Sequence, residues 1–113
     1  MNSLKNSVHL IGRLGNDPET TTFDNGKIKV RFSLATSETY KNANGEKVEE
    51  TQWHNIVCWN GTAKIAANYL KKGKEIALEG KLTNRSWEDN DGKKHYITEV
   101  VANQILLLDR KSE

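Results

Sequence analysis

Apolar and polar residues alternate along most of this chain at a period of two, the period of half-buried strands. The cleanest case runs from Lys27 to about Thr36, where Ile28, Val30, Phe32 and Leu34 point one way and Lys29, Arg31 and Ser33 the other. A first strand is predicted over about residues 6–14, with Val8, Leu10 and Leu14 alternating against His9, Ile11 and Arg13. Gly12 interrupts its even face, which predicts a bulge or a close backbone crossing. Gly15-Asn16-Asp17-Pro18 reads as a turn, Thr20 to Phe23 as a brief extension, and Asn25-Gly26 as a hairpin turn.

Thr51 to Trp59, rich in aromatic and β-branched residues, predicts the third strand. His54, Ile56 and Cys58 share one face and Trp53, Asn55, Val57 and Trp59 the other. The polar segment from Tyr40 to Glu50, centred on Asn44-Gly45, reads as the tip of the hairpin that joins this strand to the second. Even positions face the core in the second strand, so Tyr40 points outward only if that strand bulges or twists after Thr36.

Asn60-Gly61-Thr62 then breaks the strand and offers Thr62 as a helix N-cap. Ala63, Ala66, Ala67 and Leu70 recur at helical spacing, and Lys71-Lys72-Gly73 supplies cations in the last turn with a glycine just beyond. A fourth strand is expected from about Lys74 to Trp87. Its core face is Ile76, Leu78, Gly80 and Leu82, and its opposite face Lys81, Thr83, Arg85 and Trp87. Asn90-Asp91-Gly92 turns the chain into a last strand over about residues 94–108, leaving 109–113 as a short polar C-terminal end. Five strands with a helix between strands 3 and 4 and glycines at strand crossings make an all-β chain: a β-barrel of the five-stranded OB-fold type over residues 1–108.

That barrel binds oligonucleotides or oligosaccharides across its second and third strands, which directs attention to the tryptophans. Trp53 and Trp59 lie six residues apart, about 20 Å at strand rise. Flat rings on an outward sheet face can stack successive unpaired bases; they can equally cap a second core or a subunit interface. Trp87 beside Arg85, with Lys81 on the same face, joins a stacking ring to phosphate-neutralising charge.

The totals narrow the classes. The chain has 113 residues, enough for one domain, and its net charge of +2 does not by itself argue for nucleic acid. Residues 61–87 do hold six Lys/Arg against two acids, a weak sign of a polyanion-binding surface. A single cysteine and no apolar run of membrane-spanning length lead to the expectation of a reducing, cytoplasmic location away from the membrane. Catalysis finds little support. His9, His54 and His95 are scattered, and His54 and Cys58 stand about 13 Å apart along one strand face, too far to share an ion. No cofactor or metal is implied.

Six segments together carry a resemblance: Asn6 to Glu19, Phe32 to Tyr40, Gln52 to Trp59, Tyr69 to Gly73, Glu79 to Trp87 and Thr98 to Val101. In order and spacing they resemble the bacterial single-stranded DNA-binding proteins over nearly all of residues 3–108. The resemblance implies sequence-independent binding of single-stranded DNA in replication, recombination and repair by a nucleoid-associated homotetramer. It places base-stacking aromatics at Tyr40, Trp53, Trp59 and Trp87, with Tyr40 turned outward, and basic contacts at Lys72 and Arg85. Lys29, Arg31 and Arg13 join that set from the face analysis. His54 corresponds to a histidine near the subunit interface, while a hydrogen-bonded buried histidine is the plainer alternative. A neighbouring reading is a primosomal replication protein N-like dimer on the same barrel, against which the four aromatics argue. Ser7 and Asn55 stand where the family often has a basic residue, so weaker electrostatic affinity is expected. Replication and repair proteins are further partners the resemblance implies, but the usual acidic tail is absent from these residues.

Overall fold

A computed structural model describes residues 4–108. After a short 3₁₀ turn (Leu4–Asn6), six strands and one α-helix follow: β1 (Val8–Leu14), β2 (Glu19–Thr22), β3 (Ile28–Lys41), β4 (Lys47–Trp59), α1 (Asn60–Tyr69), β5 (Glu75–Glu88) and β6 (Lys94–Leu107). The strands form one sheet in the order β1-β5-β6-β4-β3-β2, and a second pairing of β1 with β3 closes it. The barrel is therefore β1, β3, β4, β5 and β6, with α1 between its third and fourth strands, as the alternation predicts. The brief extension at residues 20–23 is β2, four exposed residues paired along the edge of β3.

Closure depends on Gly12. Beside it β1 changes partners: Val8 to Arg13 pair with β5, while Arg13 and Leu14 also pair with β3. A Cβ on Gly12 would fall 2.1 Å from the carbonyl oxygen of Ala35, so only glycine lets the two backbones cross. Gly80 on β5 allows a similar close approach to β6, where a Cβ would meet the Val101 carbonyl oxygen at 2.3 Å. The β5–β6 ladder shifts register there, giving β6 an extra residue, Asn103, opposite the Glu79–Gly80 step. The bulge switches the inward face of β6 from Val100 and Ala102 to Ile105. Leu14, Val30, Phe32, Leu34, Ile56, Cys58, Ile76 and Leu78 fill the interior. Ala63, Ala66 and Leu70 of the helix segment pack against the same cluster, small enough for α1 to lie close.

Several expectations require correction. The helix starts directly at the end of β4, with Trp59 as N-cap and no side-chain cap bond, so Thr62 lies inside it. Asn60 makes the turn itself at φ 52°, and its Oδ1 accepts from the Ile28 backbone N–H at 3.4 Å. The helix ends at Tyr69, and Ala67 is exposed, so the buried stripe is narrower than the spacing indicates. Gly73 (φ 90°) does not cap the helix. It is the third residue of a turn closed by Lys74 N–H to Lys71 O at 3.1 Å, where positive φ belongs. Leu82 is exposed, so the core face of β5 ends at Gly80.

No bulge reorients Tyr40. The β3–β4 ladder runs in unbroken register from Lys29↔Trp59 to Lys41↔Lys47. Tyr40 is exposed because the hairpin leaves the barrel: β1 pairs with β3 only at Ala35 and Leu34, and β6 with β4 only at Ile56 and Val57. Beyond these points the ribbon has no third strand to cover either face. The radius of gyration, 16.4 Å, exceeds the ~13 Å of a compact chain of this length, consistent with such projecting hairpins.

Candidate nucleic-acid interface

Register assembles the outward face. On β3 and β4 the odd-numbered residues pair as Lys29↔Trp59, Arg31↔Val57, Ser33↔Asn55 and Ala35↔Trp53, and Arg13 of β1 continues the last row beyond Ala35. Two tryptophans and three cations thus share one surface because each strand keeps its alternation across the ladder. Val57 is the exception in this row, buried although it faces outward.

Each ring has its own seat. Trp53 is the most exposed of the three tryptophans, at 63%. Its six-membered ring lies against Gly15, which has no side chain to displace it. The loop carrying Gly15 is pinned to β3. Gly15 N–H donates to Ser33 O at 2.9 Å, while Asn16 Oδ1 accepts from the Ser33 N–H at 2.9 Å and from its hydroxyl at 2.8 Å. In the same loop Asp17 Oδ1 accepts from the Lys72 backbone N–H at 2.8 Å, fixing the lysine turn beside it. Trp59 stacks on Phe23 with ring centroids 6.0 Å apart and planes at 23°, and Lys29 Nζ stands 5.5 Å from its centroid. Trp87 stacks on His95 at 5.4 Å and 22°, with the Arg85 guanidinium 5.8 Å from its ring.

Charge is distributed unevenly around these rings. Arg85 is held by Glu99 through two bonds, Nε to Oε1 and Nη2 to Oε2, each 3.1 Å. Glu99 is the one buried charged residue among those described. The Arg85 bond, aided by the charges of Lys29 and Arg31, holds its carboxyl below the usual range, and Glu99 raises the Arg85 pKa in return. Asp89 accepts from His95 Nε2 at 2.8 Å, and that bond, followed by the Lys93 backbone N–H, holds the Asp89 carboxyl low.

Of the expected site residues, the structure gathers Trp53, Trp59, Lys29, Arg31 and Arg13 on one face, while Arg85 and Trp87 form a separate cluster on β5 in which Glu99 of β6 holds Arg85. Arg13 is partly engaged elsewhere, donating to Gly73 O at 3.0 Å with Glu75 at 3.9 Å. Tyr40 is 48% exposed but keeps even parity opposite Val48, so register does not bring it onto the Trp53 row. His54 is half-buried, on the inward row, with Nε2 3.0 Å from Thr36 Oγ1. Cys58 is buried and its thiol is pushed up to about 12 by desolvation, which disfavours the reactive thiolate at neutral pH. No cluster of three or more His, Cys, Asp or Glu that could hold a metal occurs among the described residues.

Sequence reasoning missed four supports: Phe23, His95, Asp89 and Glu99. The Asn90-Asp91-Gly92 turn, once its register is fixed, sets His95 opposite Trp87. Glu99 had a signal too, as a lone acid beside the apolar pair Val100-Val101. Phe23 lies next to the Asn25-Gly26 turn but gives no sign of its contact with Trp59.

A closed barrel with α1 at this position and an aromatic, basic face across β3 and β4 defines an OB-fold protein. The model of the single-strand binding protein family matches residues 5–108, and the chain belongs to that family. Single-stranded DNA-binding protein 1 of Chlorobaculum tepidum is 48% identical over 107 residues, covering 94% of this chain and 66% of its relative. The single-stranded DNA-binding protein of Neisseria meningitidis is 44% identical over 108 residues, covering 96% and 62%. The chain thus spans somewhat under two thirds of the length of these relatives. A Plasmodium falciparum SSB, solved in complex with single-stranded DNA, superposes with a TM-score of 0.86 at 32% identity, covering 96% of this chain and 98% of that one.

Proposed function

We propose that this chain binds single-stranded DNA without reading its sequence, protecting it during replication, recombination and repair. The carrying observation is the outward face on which Trp53 and Trp59 alternate with Arg13, Lys29 and Arg31. Bases stack on Trp53, Trp59 and Trp87, each stack contributing about 1–3 kcal/mol. Tyr40, on the projecting hairpin, takes a further base from a strand that wraps around that arm. Lys72 and the cations of β1 and β3 neutralise phosphates and release counterions, so affinity falls as salt rises. Duplex DNA hides its base faces in the stack, which gives single strands the advantage. The role is binding, with no reaction of its own, at the nucleoid in the cytoplasm.

The working assembly in this reading is a homotetramer. Ile11, Ala77 and Leu106 form one row across β1, β5 and β6 on the outside of the barrel. Ile11 and Leu106 are each 61% exposed there, and an uncovered apolar strip of this kind is a subunit-contact surface. His54 is kept as a contact near the subunit boundary, supported by the resemblance alone. Sedimentation mass separates a tetramer from the dimer of the primosomal alternative.

Titration with oligo-dT at two salt concentrations, followed by tryptophan emission, tests the binding. Strong quenching by the single strand, weakened by salt and absent with an equal-length duplex, is the expected result. Unchanged emission with both DNAs refutes the reading and favours a protein-interaction module on the same barrel. Incubation of the DNA with magnesium or calcium should leave it intact.

A further inference from the structure

Arg85 is an unusual member of the basic surface. It is half-exposed beside Trp87, where a phosphate next to a stacked base could reach it. The Nε–Nη2 edge of its guanidinium is already taken by a carboxylate that is only 3% exposed. The geometry is the parallel two-bond arrangement with which arginine also binds phosphate. The Nη1 side of the guanidinium stays open, but its charge is neutralised by Glu99 before DNA arrives, so a phosphate contact there adds little to the net charge neutralised. Glu99 also lies within the electrostatic reach of Lys29 and Arg31 and lowers the positive potential of the whole patch.

We propose that Glu99 acts as an internal phosphate surrogate: it positions the Arg85 guanidinium beside Trp87 and keeps that charge out of the count of phosphates neutralised on binding. Glu99 therefore determines affinity without touching DNA. It is a positioning residue, and it holds the electrostatic share of binding below what the lysines and arginines of this face would give together. The benefit is a guanidinium held in a fixed position beside the Trp87 ring.

The inference rests on the single-stranded DNA reading, and its readout is the slope of log K against log salt for oligo-dT. Each additional phosphate neutralised on a single strand steepens that slope by about 0.7. Glu99→Gln keeps the shape of the side chain but removes its charge, leaving Arg85 free to pair with a phosphate. The slope should steepen by about 0.7 for each engaged protomer, with tighter binding at low salt. Adding Arg85→Gln to that variant should restore the wild-type slope, and Glu99→Asp, which keeps the carboxylate, should stay near it. Arg85→Gln alone, in case Glu99→Gln does not fold, should leave the slope unchanged. Equal slopes for wild type and Glu99→Gln, or a slope reduced by about 0.7 in Arg85→Gln alone, overturn the role given to Glu99 while leaving DNA binding in place. Failure of the wild-type protein to bind oligo-dT overturns both.

Discussion

Gly15 and Trp53 are in contact through the absence of a side chain: a Cβ on Gly15 would fall 2.4 Å from ring carbon Cζ3 of Trp53. The ring is the far end of a side chain and can swing away, and the other obstruction, Ser33 Oγ at 2.9 Å, is also a side-chain atom. A larger residue displaces the ring and strains the Asn16–Ser33 tie while the barrel backbone stays in place. Gly15→Val is therefore expected to weaken oligo-dT binding about as much as Trp53→Ala, by ~1–3 kcal/mol or about 5- to 150-fold. Both variants should lose affinity for every base composition alike. Melting temperature and the titration together check this; a binding loss confined to one base type contradicts stacking.

Gly12 presents the opposite case. Its missing Cβ would strike backbone, the Ala35 carbonyl oxygen at 2.1 Å, where β1 crosses from β5 to β3. Backbone at a barrel seam cannot swing aside. Gly12→Ala should cost about 3 kcal/mol or more, at the upper end of overpacking effects, and lower the melting temperature sharply. A Gly12→Ala barrel that melts like wild type would mean that the seam can open to admit a methyl group.

These two glycines also show how far the sequence is legible. Gly12 interrupts an alternating pattern, so its crossing can be read from period alone; Gly15 sits in a turn rich in polar residues, and nothing local announces the ring above it. The barrel, its helix and the outward faces of β3 and β4 follow from periodicity because one face of each strand must be buried. Tyr40 shows where periodicity stops: past Thr36 neither face is covered, so parity no longer decides exposure. Thr62 and Gly73 depart from the helix-boundary pattern for a related reason. Asn60 turns the chain with its own backbone, and the tie from Gly73 N–H to Leu14 O at 2.9 Å is a contact between distant segments. The Arg85–Glu99 pair spans 14 residues and is a diagonal contact, Glu99 standing opposite Thr83 in the ladder, so even the correct hairpin register does not announce it.

Acid stability should report the same pair. In the folded protein the Glu99 carboxyl is held below its ordinary value, first by the Arg85 bond and then by the neighbouring charges, against the opposing effect of burial. A depressed folded value means that the contribution to stability is fully present above the unfolded carboxylate pKa, about 4.3. It is lost as pH falls through the lower folded value. Wild type should therefore lose melting temperature more steeply than Glu99→Gln below about pH 4, with the two curves parallel near neutrality. Identical acid limbs would mean that the pair does not hold in solution.

Cys58 offers a test of the barrel interior. Its side chain is fully enclosed beside Val30 on the facing strand, and desolvation pushes the thiol up to about 12. The thiolate is the species that reacts with alkylating agents, so both burial and protonation protect it in the folded state at pH 8. A thiol pKa raised on folding contributes stability that is present below the unfolded value, about 8.5, and disappears as pH rises towards the folded one. Native protein at pH 8 should remain unlabelled by iodoacetamide over times in which denatured protein labels completely. Labelling should then follow the opening of the barrel, and Gly12→Ala should accelerate it. Rapid labelling of the native wild type would show that the seam beside β1 admits reagent without unfolding, and that the core is looser than its packing implies.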